Sequence, residues 1–245
     1  MRLTRIHVDA PLQPGSEVVL PEAAATHLTR VLRLAVGDAC VLFNGDGADR
    51  AGRLVAVGKR EVRVAVGEST PVARESALQL GLLQGIARGE KMDLILQKAT
   101  ELGVVDIRPL WSQRSEVRLE GERAAKRHAH WCGVVASACG QSGRSVVPPV
   151  GAPVSLAAAL EVLPAGGLRL LLDPTAELAP RTLDVPAGAL VWLAVGPEGG
   201  WSPSDREQLR AAGFQGLRLG PRVLRTETAG LAALAALQAM FGDLG

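Results

Sequence analysis

Apolar positions along this chain follow two different rhythms. Residues 1 to about 70 carry short runs in which apolar and polar positions alternate: RLTRIHV, SEVVL, ACVLF, AGRLVAV and EVRVAV. Strict alternation of that kind is the mark of half-buried strands. Between the third and fourth runs lies Asn44-Gly45-Asp46-Gly47, whose residues tolerate positive φ and therefore favour a tight hairpin. A second turn is expected at Gly58-Lys59-Arg60. One helical stretch, AAATHLTRVLRL, interrupts the strands and is closed by Val36-Gly37-Asp38. These features predict a small, twisted, β-barrel-like module over residues 1–72.

Past Pro71 the rhythm changes to strands separated by single helices. Strands are predicted at 78–84, 104–110, a short one near 146–150, then 168–172, 189–195 and 214–219. Helices are predicted at about 90–102, 121–139, 154–162, 203–212 and 226–241. In the first of them Met92, Ile95, Leu96, Ala99 and Leu102 make one apolar stripe, with Gly103 at the position of a C-cap glycine. Single-helix crossovers imply parallel pairing with helices over the sheet, so residues 73–245 read as an α/β domain. The last helix, TETAGLAALAALQAMF, is apolar or small on nearly every face. Such a helix requires cover all round, which predicts a homodimer.

Charge changes this picture little. The formal net charge is +2, but residues 74–150 carry 11 basic and 8 acidic side chains, whereas 151–245 carry 7 and 9. The middle of the chain is therefore the part suited to a polyanion, although a solvated mixed surface gives the same count. No apolar run reaches the roughly 18 to 20 residues of a membrane span, and the N-terminus has no secretory apolar stretch. Three cysteines, Cys40, Cys132 and Cys139, have no framework spacing, and a cytoplasmic location is expected. His128 and Cys132 lie four residues apart and Cys139 two further turns along a predicted helix, but zinc sites draw four ligands from tighter clusters, and no metal is expected.

Candidate chemistry concentrates after the last three strands, in LLLDPTA, AVGPEGGWS and RLGPRVLRTETA. Open α/β sheets bind ligands beyond the carboxyl ends of their strands. Ser202-Pro203-Ser204-Asp205 has the cap, proline and acidic residue that begin a helix, and Thr226 or Thr228 with Glu227 could begin the final one. Neighbouring strands would make these loops enclose one pocket lined by main-chain groups, suited to an adenine and a ribose. Neither GxxxxGK[ST] nor G-x-G-x-x-G is present, which excludes the usual triphosphate and dinucleotide loops. Gly196-Pro197-Glu198-Gly199-Gly200 by itself also fits a plain strand-to-helix turn.

LAVGPEGGWS followed by RLGPRVLRTETAGLAAL resembles the paired C-terminal motifs of SPOUT-superfamily RNA methyltransferases of the RsmE type. QKATELGV (97–104), RSEV (114–117) and the pattern from Ala138 to Arg144 extend the resemblance upstream, and HLTRVLRLAVGDACVLFNGDG resembles that family's PUA-like RNA-binding domain. The resemblance implies methylation of N3 of a uridine in 16S ribosomal RNA of the small ribosomal subunit, with S-adenosylmethionine held in a trefoil knot over about residues 168–245 and a dimer across it. By the same resemblance the cofactor contacts are Leu172, Gly196, Glu198, Gly199, Gly200, Leu219, Gly220, Val223, Leu224 and Thr228. The second loop departs from the family by carrying Trp201 in place of the more usual phenylalanine, and SQRSEVR is a looser match.

Uridine N3 holds its proton at neutral pH, so the reaction needs a base or a cation that stabilises the uracil anion. Arg225 and Glu227 are the candidates for cation and proton acceptor; Glu227 could equally serve the positive end of the last helix. For RNA contact the candidates are Arg5, Arg30, Arg33, Arg114, Gln141 and Arg144. Two other readings fit parts of the same sequence: a non-catalytic RNA-binding or ribosome assembly factor that keeps the fold, and an α/β enzyme of small molecules with Glu198 as acid or base.

Overall fold

The computed structural model describes residues 3–58 and 61–245, and divides into two compact units. The expected turn at Gly58-Lys59-Arg60 falls outside the described residues at Lys59 and Arg60, as does Arg2 of the first strand run.

The first unit contains residues up to Glu75 together with Ala136–Val147. Its strands are β1 (Arg5–His7), β2 (Glu17–Val19), β3 (Ala39–Phe43), β4 (Ala48–Val57) and β5 (Val62–Pro71), in the order β1-β3-β4-β5-β2. The β1–β3 pair is parallel and the others are antiparallel. Alternating residues of the strands, among them Ile6, Leu42, Leu54, Val64 and Val66, meet in one core. Leu28 enters the same core from the helical stretch. That stretch is a short helix, α1 (Glu22–Thr26), continued by a π-helical turn at His27–Val31. Gly52 lets β4 pass close to its neighbour, since a Cβ there would stand 2.7 Å from Cys40 Sγ. Burial pushes the Cys40 thiol up to about 11.

Residues 136–147 join this unit through polar contacts that no periodicity announces. Ser145 O accepts from Gly47 N at 3.1 Å, and Ser145 Oγ donates to Asp49 at 2.5 Å. Arg5 pairs with Asp49 and donates to Arg144 O and Ser145 Oγ, both at 2.9 Å. Arg144 is held by Glu75 at 2.5 Å.

The second unit is built on a six-stranded, wholly parallel sheet: β6 (Gln79–Gly85), β7 (Val104–Trp111), β8 (Val154–Ser155), β9 (Leu168–Leu172), β10 (Leu190–Val195) and β11 (Gln215–Leu217), in the order β11-β9-β10-β6-β7-β8. Its helices are α2 (Glu90–Glu101), α3 (Gly121–Ser142), α4 (Leu156–Glu161), α5 (Pro203–Ala211) and α6 (Thr226–Phe241); the last turns of α3 belong to the first unit. Central strands read as unbroken apolar runs because both faces are covered, and Val191, Trp192, Leu193 and Ala194 are all buried.

Two expectations need correction. The strand predicted near 146–150 is not formed. Pro148 and Pro149 have no N–H to donate, so the segment makes one bridge, Val150 to Ile107, and the edge strand forms later at Val154–Ser155. The final helix is not capped by a threonine side chain. Arg225 occupies the cap position without a side-chain bond, while the Thr226 hydroxyl donates to Gly196 O at 2.6 Å.

Candidate functional site: a cleft at the carboxyl edge of the parallel sheet

A parallel sheet puts the carboxyl ends of all its strands on one edge. With β10 between β9 and β6, and β11 beside β9, the loops after β6, β9, β10 and β11 rise side by side. The close approach is enforced by glycine. A Cβ on Gly85, the last residue of β6, would lie 2.4 Å from Pro197 N. Gly200 has φ +64, in the left-handed region, and the turn it completes delivers the chain into α5. There the Ser202 hydroxyl accepts from Asp205 N at 3.0 Å and the Asp205 carboxylate accepts from Ser202 N at 2.9 Å, the reciprocal cap predicted from the sequence.

Gln84 fastens the loops together. Its side-chain amide donates to Gly85 O at 2.8 Å and to the Thr226 hydroxyl at 3.0 Å, and Thr226 in turn holds the Gly196 carbonyl. One buried glutamine thereby links β6, the second loop and the start of α6. Sequence inspection gave no sign of it, because a polar residue at the end of an apolar strand shows its use only once the neighbouring strand is known.

Between the loops lies a cavity of about 420 Å³. Of the proposed cofactor contacts, Leu172, Gly196, Glu198, Gly200, Val223 and Leu224 line it, and so do Arg225 and Glu227. Gly199, Leu219, Gly220 and Thr228 do not. Gly199 is instead packed against the segment of Arg114, whose carbonyl O would be 2.8 Å from a Cβ at that glycine. Val195 and the buried Trp201 supply apolar wall.

Two carboxylates of the cavity flank Lys91, a residue outside the sequence motifs. Its ammonium stands 3.7 Å from Glu198 and 3.5 Å from Glu227. Glu198 also accepts from Arg88 N at 3.0 Å. Burial works against ionisation of Glu198, but the backbone N–H groups of Arg88 and Glu198 and the Lys91 ammonium outweigh it and hold the carboxyl below its usual range. Glu227 keeps its second oxygen, Oε2, buried and without a hydrogen-bond partner. In the first loop Asp173 accepts from Thr175 N and Oγ1 at 2.9 and 2.7 Å and pairs with Arg206 at 3.0 Å. Burial opposes its ionisation too, and the Thr175 bonds with Arg206 and Arg210 prevail, so its carboxyl is also held low. Lys91 was legible in principle: it follows the β6 loop, a fourth loop on the edge already selected.

The proposed RNA contacts divide. Arg30, Arg33, Arg114 and Gln141 are exposed, and Arg33 adopts a left-handed φ of 56°. Arg5 and Arg144 are buried in the first unit, their side chains 5% exposed, with guanidinium groups held by Asp49 and Glu75. These two order the unit and do not present free charge to a phosphate. In the helix carrying His128, its Nε2 lies 2.7 Å from Val150 O and 3.6 Å from Cys132 Sγ, and among the described residues no group of three or more histidine, cysteine, aspartate or glutamate side chains is placed to hold a metal.

The cleft thus combines loop backbone and apolar side chains with one lysine, two arginines and two carboxylates. Residues 74–238 match the family described as RNA methyltransferase domain, and 20–66 match the RNA methyltransferase PUA domain. The chain belongs to the RNA methyltransferase family. Its similarity to characterised members runs the length of the chain. Ribosomal RNA small subunit methyltransferase E of Mycobacterium bovis is 33% identical over 242 residues, covering 94% of this chain and 89% of the relative. The protein of the same name from Bacillus subtilis is 30% identical over 218 residues, covering 86% and 85%. Among solved structures, ribosomal RNA small subunit methyltransferase E from Neisseria gonorrhoeae bound to S-adenosyl methionine superposes with a TM-score of 0.92 at 40% identity over 100% of both chains. A Legionella pneumophila methyltransferase in complex with the same cofactor gives 0.94 at 38% identity, again over 100% of both. No helix among the described residues of this family member is long and apolar enough to cross a membrane.

Proposed function

We propose that this RNA methyltransferase is an S-adenosylmethionine-dependent enzyme that methylates 16S ribosomal RNA at N3 of a uridine, acting as a homodimer in the cytoplasm, where small ribosomal subunits are made. The observation that carries the reading is the cleft itself: loops after β9, β10 and β11 converge on a cavity of about 420 Å³ in a fold shared with cofactor-bound relatives. That volume lies within the roughly 300 to 1,000 Å³ of ordinary small-molecule sites. Its apolar walls and backbone groups suit an adenosyl moiety better than they suit a polar metabolite. A trefoil knot through these loops belongs to the same proposal.

S-Adenosylmethionine, when bound, supplies an activated methyl on a sulfonium. The residues of the chain then have two tasks. The loops align the methyl with the incoming nitrogen, the step in which positioning contributes most. Arg225, exposed and lining the cavity, is assigned the stabilisation of negative charge on the uracil, and Glu227, with Oε2 unpartnered, the acceptance of the N3 proton. Lys91 stands between the two carboxylates, 3.5 Å from Glu227 and 3.7 Å from Glu198, and supplies the positive charge beside both.

Calorimetric titration with S-adenosylmethionine, followed by methylation of ribosomal RNA from cells lacking the enzyme and mass-spectrometric mapping of the product, tests the reading. Binding with transfer to a uridine is expected; binding without transfer overturns the enzymatic claim. Arg225→Ala is expected to retain cofactor affinity and to lose about 10²-fold or more in single-turnover rate.

A further inference from the structure

Away from the cofactor cleft, the second unit has another cavity, of about 530 Å³, between the β6–α2 loop, residues 117–119 and the first half of α3. Its inner surface is apolar, formed by Ile86, Met92, Leu119 and Trp131, all buried. Its rim is cationic: Arg123, Lys126 and Arg127 line it together with His130. Positions 123, 126, 127, 130 and 131 share one helical face by their three- and four-residue spacing, so the cations and the Trp131 ring are presented on the same side of α3.

The three cations are uncommitted. Arg123, Lys126 and Arg127 are exposed and form no ion pair among the described residues, not even with Glu120 and Glu122 on the same stretch of chain, while Asp93 is engaged by His130 at 2.8 Å and Glu116 by Arg88 at 2.6 Å. The buried indole Nε1 of Trp131 has no acceptor. Three unpaired cations around an apolar floor with a spare donor match a group that is anionic at one end, flat and apolar in the middle, and edged with carbonyls.

The two cavities also share a wall. Ala87 and Gly89 line this one, while Arg88 between them donates its backbone N–H to Glu198 of the cofactor cleft at 3.0 Å.

We propose that this cavity is a binding site for one nucleotide of single-stranded RNA, its phosphate held by Arg123, Lys126 and Arg127 and its base laid on the apolar floor, next to the nucleotide whose base enters the cofactor cleft. The proposal rests on the reading of the chain as an enzyme of RNA, and single-stranded recognition by a cationic track with an aromatic or apolar platform is its physical basis.

The test uses the full chain and ribosomal RNA purified from cells lacking the enzyme. In the variant R123Q/K126Q/R127Q, affinity for that RNA is expected to fall at least about tenfold at 0.1 M salt, and the slope of log K against log salt to decrease by about 2, from three contacts at about 0.7 each. S-Adenosylmethionine affinity is expected to be unchanged, and the charge-keeping variant R123K/K126R/R127K is expected to restore RNA binding. An unchanged RNA affinity and salt slope in the glutamine variant overturns the site while leaving the proposed function standing if methylation persists. Failure of the unaltered protein to bind RNA at all overturns both. A shift from dimer to monomer in sedimentation with an unchanged salt slope overturns the RNA assignment in favour of a contact between copies.

Discussion

Lys91 is the residue on which the cleft's electrostatics turn, because its ammonium lies between Glu198 and Glu227 at 3.7 and 3.5 Å. Replacing it by methionine keeps the stem and removes the charge, leaving two carboxylates without their common cation. Single-turnover methylation by Lys91→Met is expected to fall by about 10- to 100-fold, the size of a lost electrostatic or proton-transfer contribution; a rate within twofold of normal would remove Lys91 from the machinery. The two depressed carboxyls, Glu198 and Asp173, also fix a pH dependence. A carboxyl whose folded value lies below its unfolded one contributes stability above the unfolded value, near pH 4. That stability is lost as pH falls through the folded value. Thermal unfolding is therefore expected to be insensitive to these two groups from about pH 6 to 8 and to lose their contribution below about pH 4, with Glu198→Gln showing a shallower acid loss than the unaltered protein.

At the scale of the element, the second loop depends on how α5 begins. Ser202 and Asp205 are both buried and exchange hydrogen bonds, and Asp205 further accepts from Gln113 N at 3.2 Å. The cap thus fastens the glycine loop at its exit and also holds the segment after β7. Ser202→Ala is expected to cost about 1 to 2 kcal/mol, read as a drop of roughly 2 to 8 °C in Tm for a chain of this size, with weakened S-adenosylmethionine binding. This element was fully legible in Ser202-Pro203-Ser204-Asp205, because a cap is a local contract among neighbours in sequence. The start of α6 was not. Its threonine serves the Gly196 carbonyl and Gln84, partners 30 and 142 residues away.

For the molecule as a whole, α6 and α2 pack together and leave Leu94 and Met240 42% and 45% exposed. Apolar surface on a helix already this poor in polar residues is what a second copy would cover. Sedimentation is expected to give a species of twice the chain mass, and Leu94→Glu with Met240→Glu is expected to release monomers without unfolding them. A monomer at micromolar concentration from the unaltered chain would end the dimer proposal. The basic excess of residues 74–150 acquires a location only at this scale. Part of it, Arg144, is neutralised by Glu75, and part, Arg123, Lys126 and Arg127, stands unpaired around one cavity.

The amino-acid order alone determined the broad alternation of strand and helix, the cap of α5 and the three glycine- and proline-rich loops, since each follows from contacts within a few residues and from the periods of 2 and 3.6. It also carried the family motifs. Strand order, and with it the meeting of these loops around one cavity, was decided only in three dimensions. So were the burial of Arg5 and Arg144 against carboxylates and the use of Gln84 and Thr226 as ties. An arginine reads the same in sequence whether it faces solvent or a carboxylate; which one it meets depends on chain segments brought together from more than 40 residues apart.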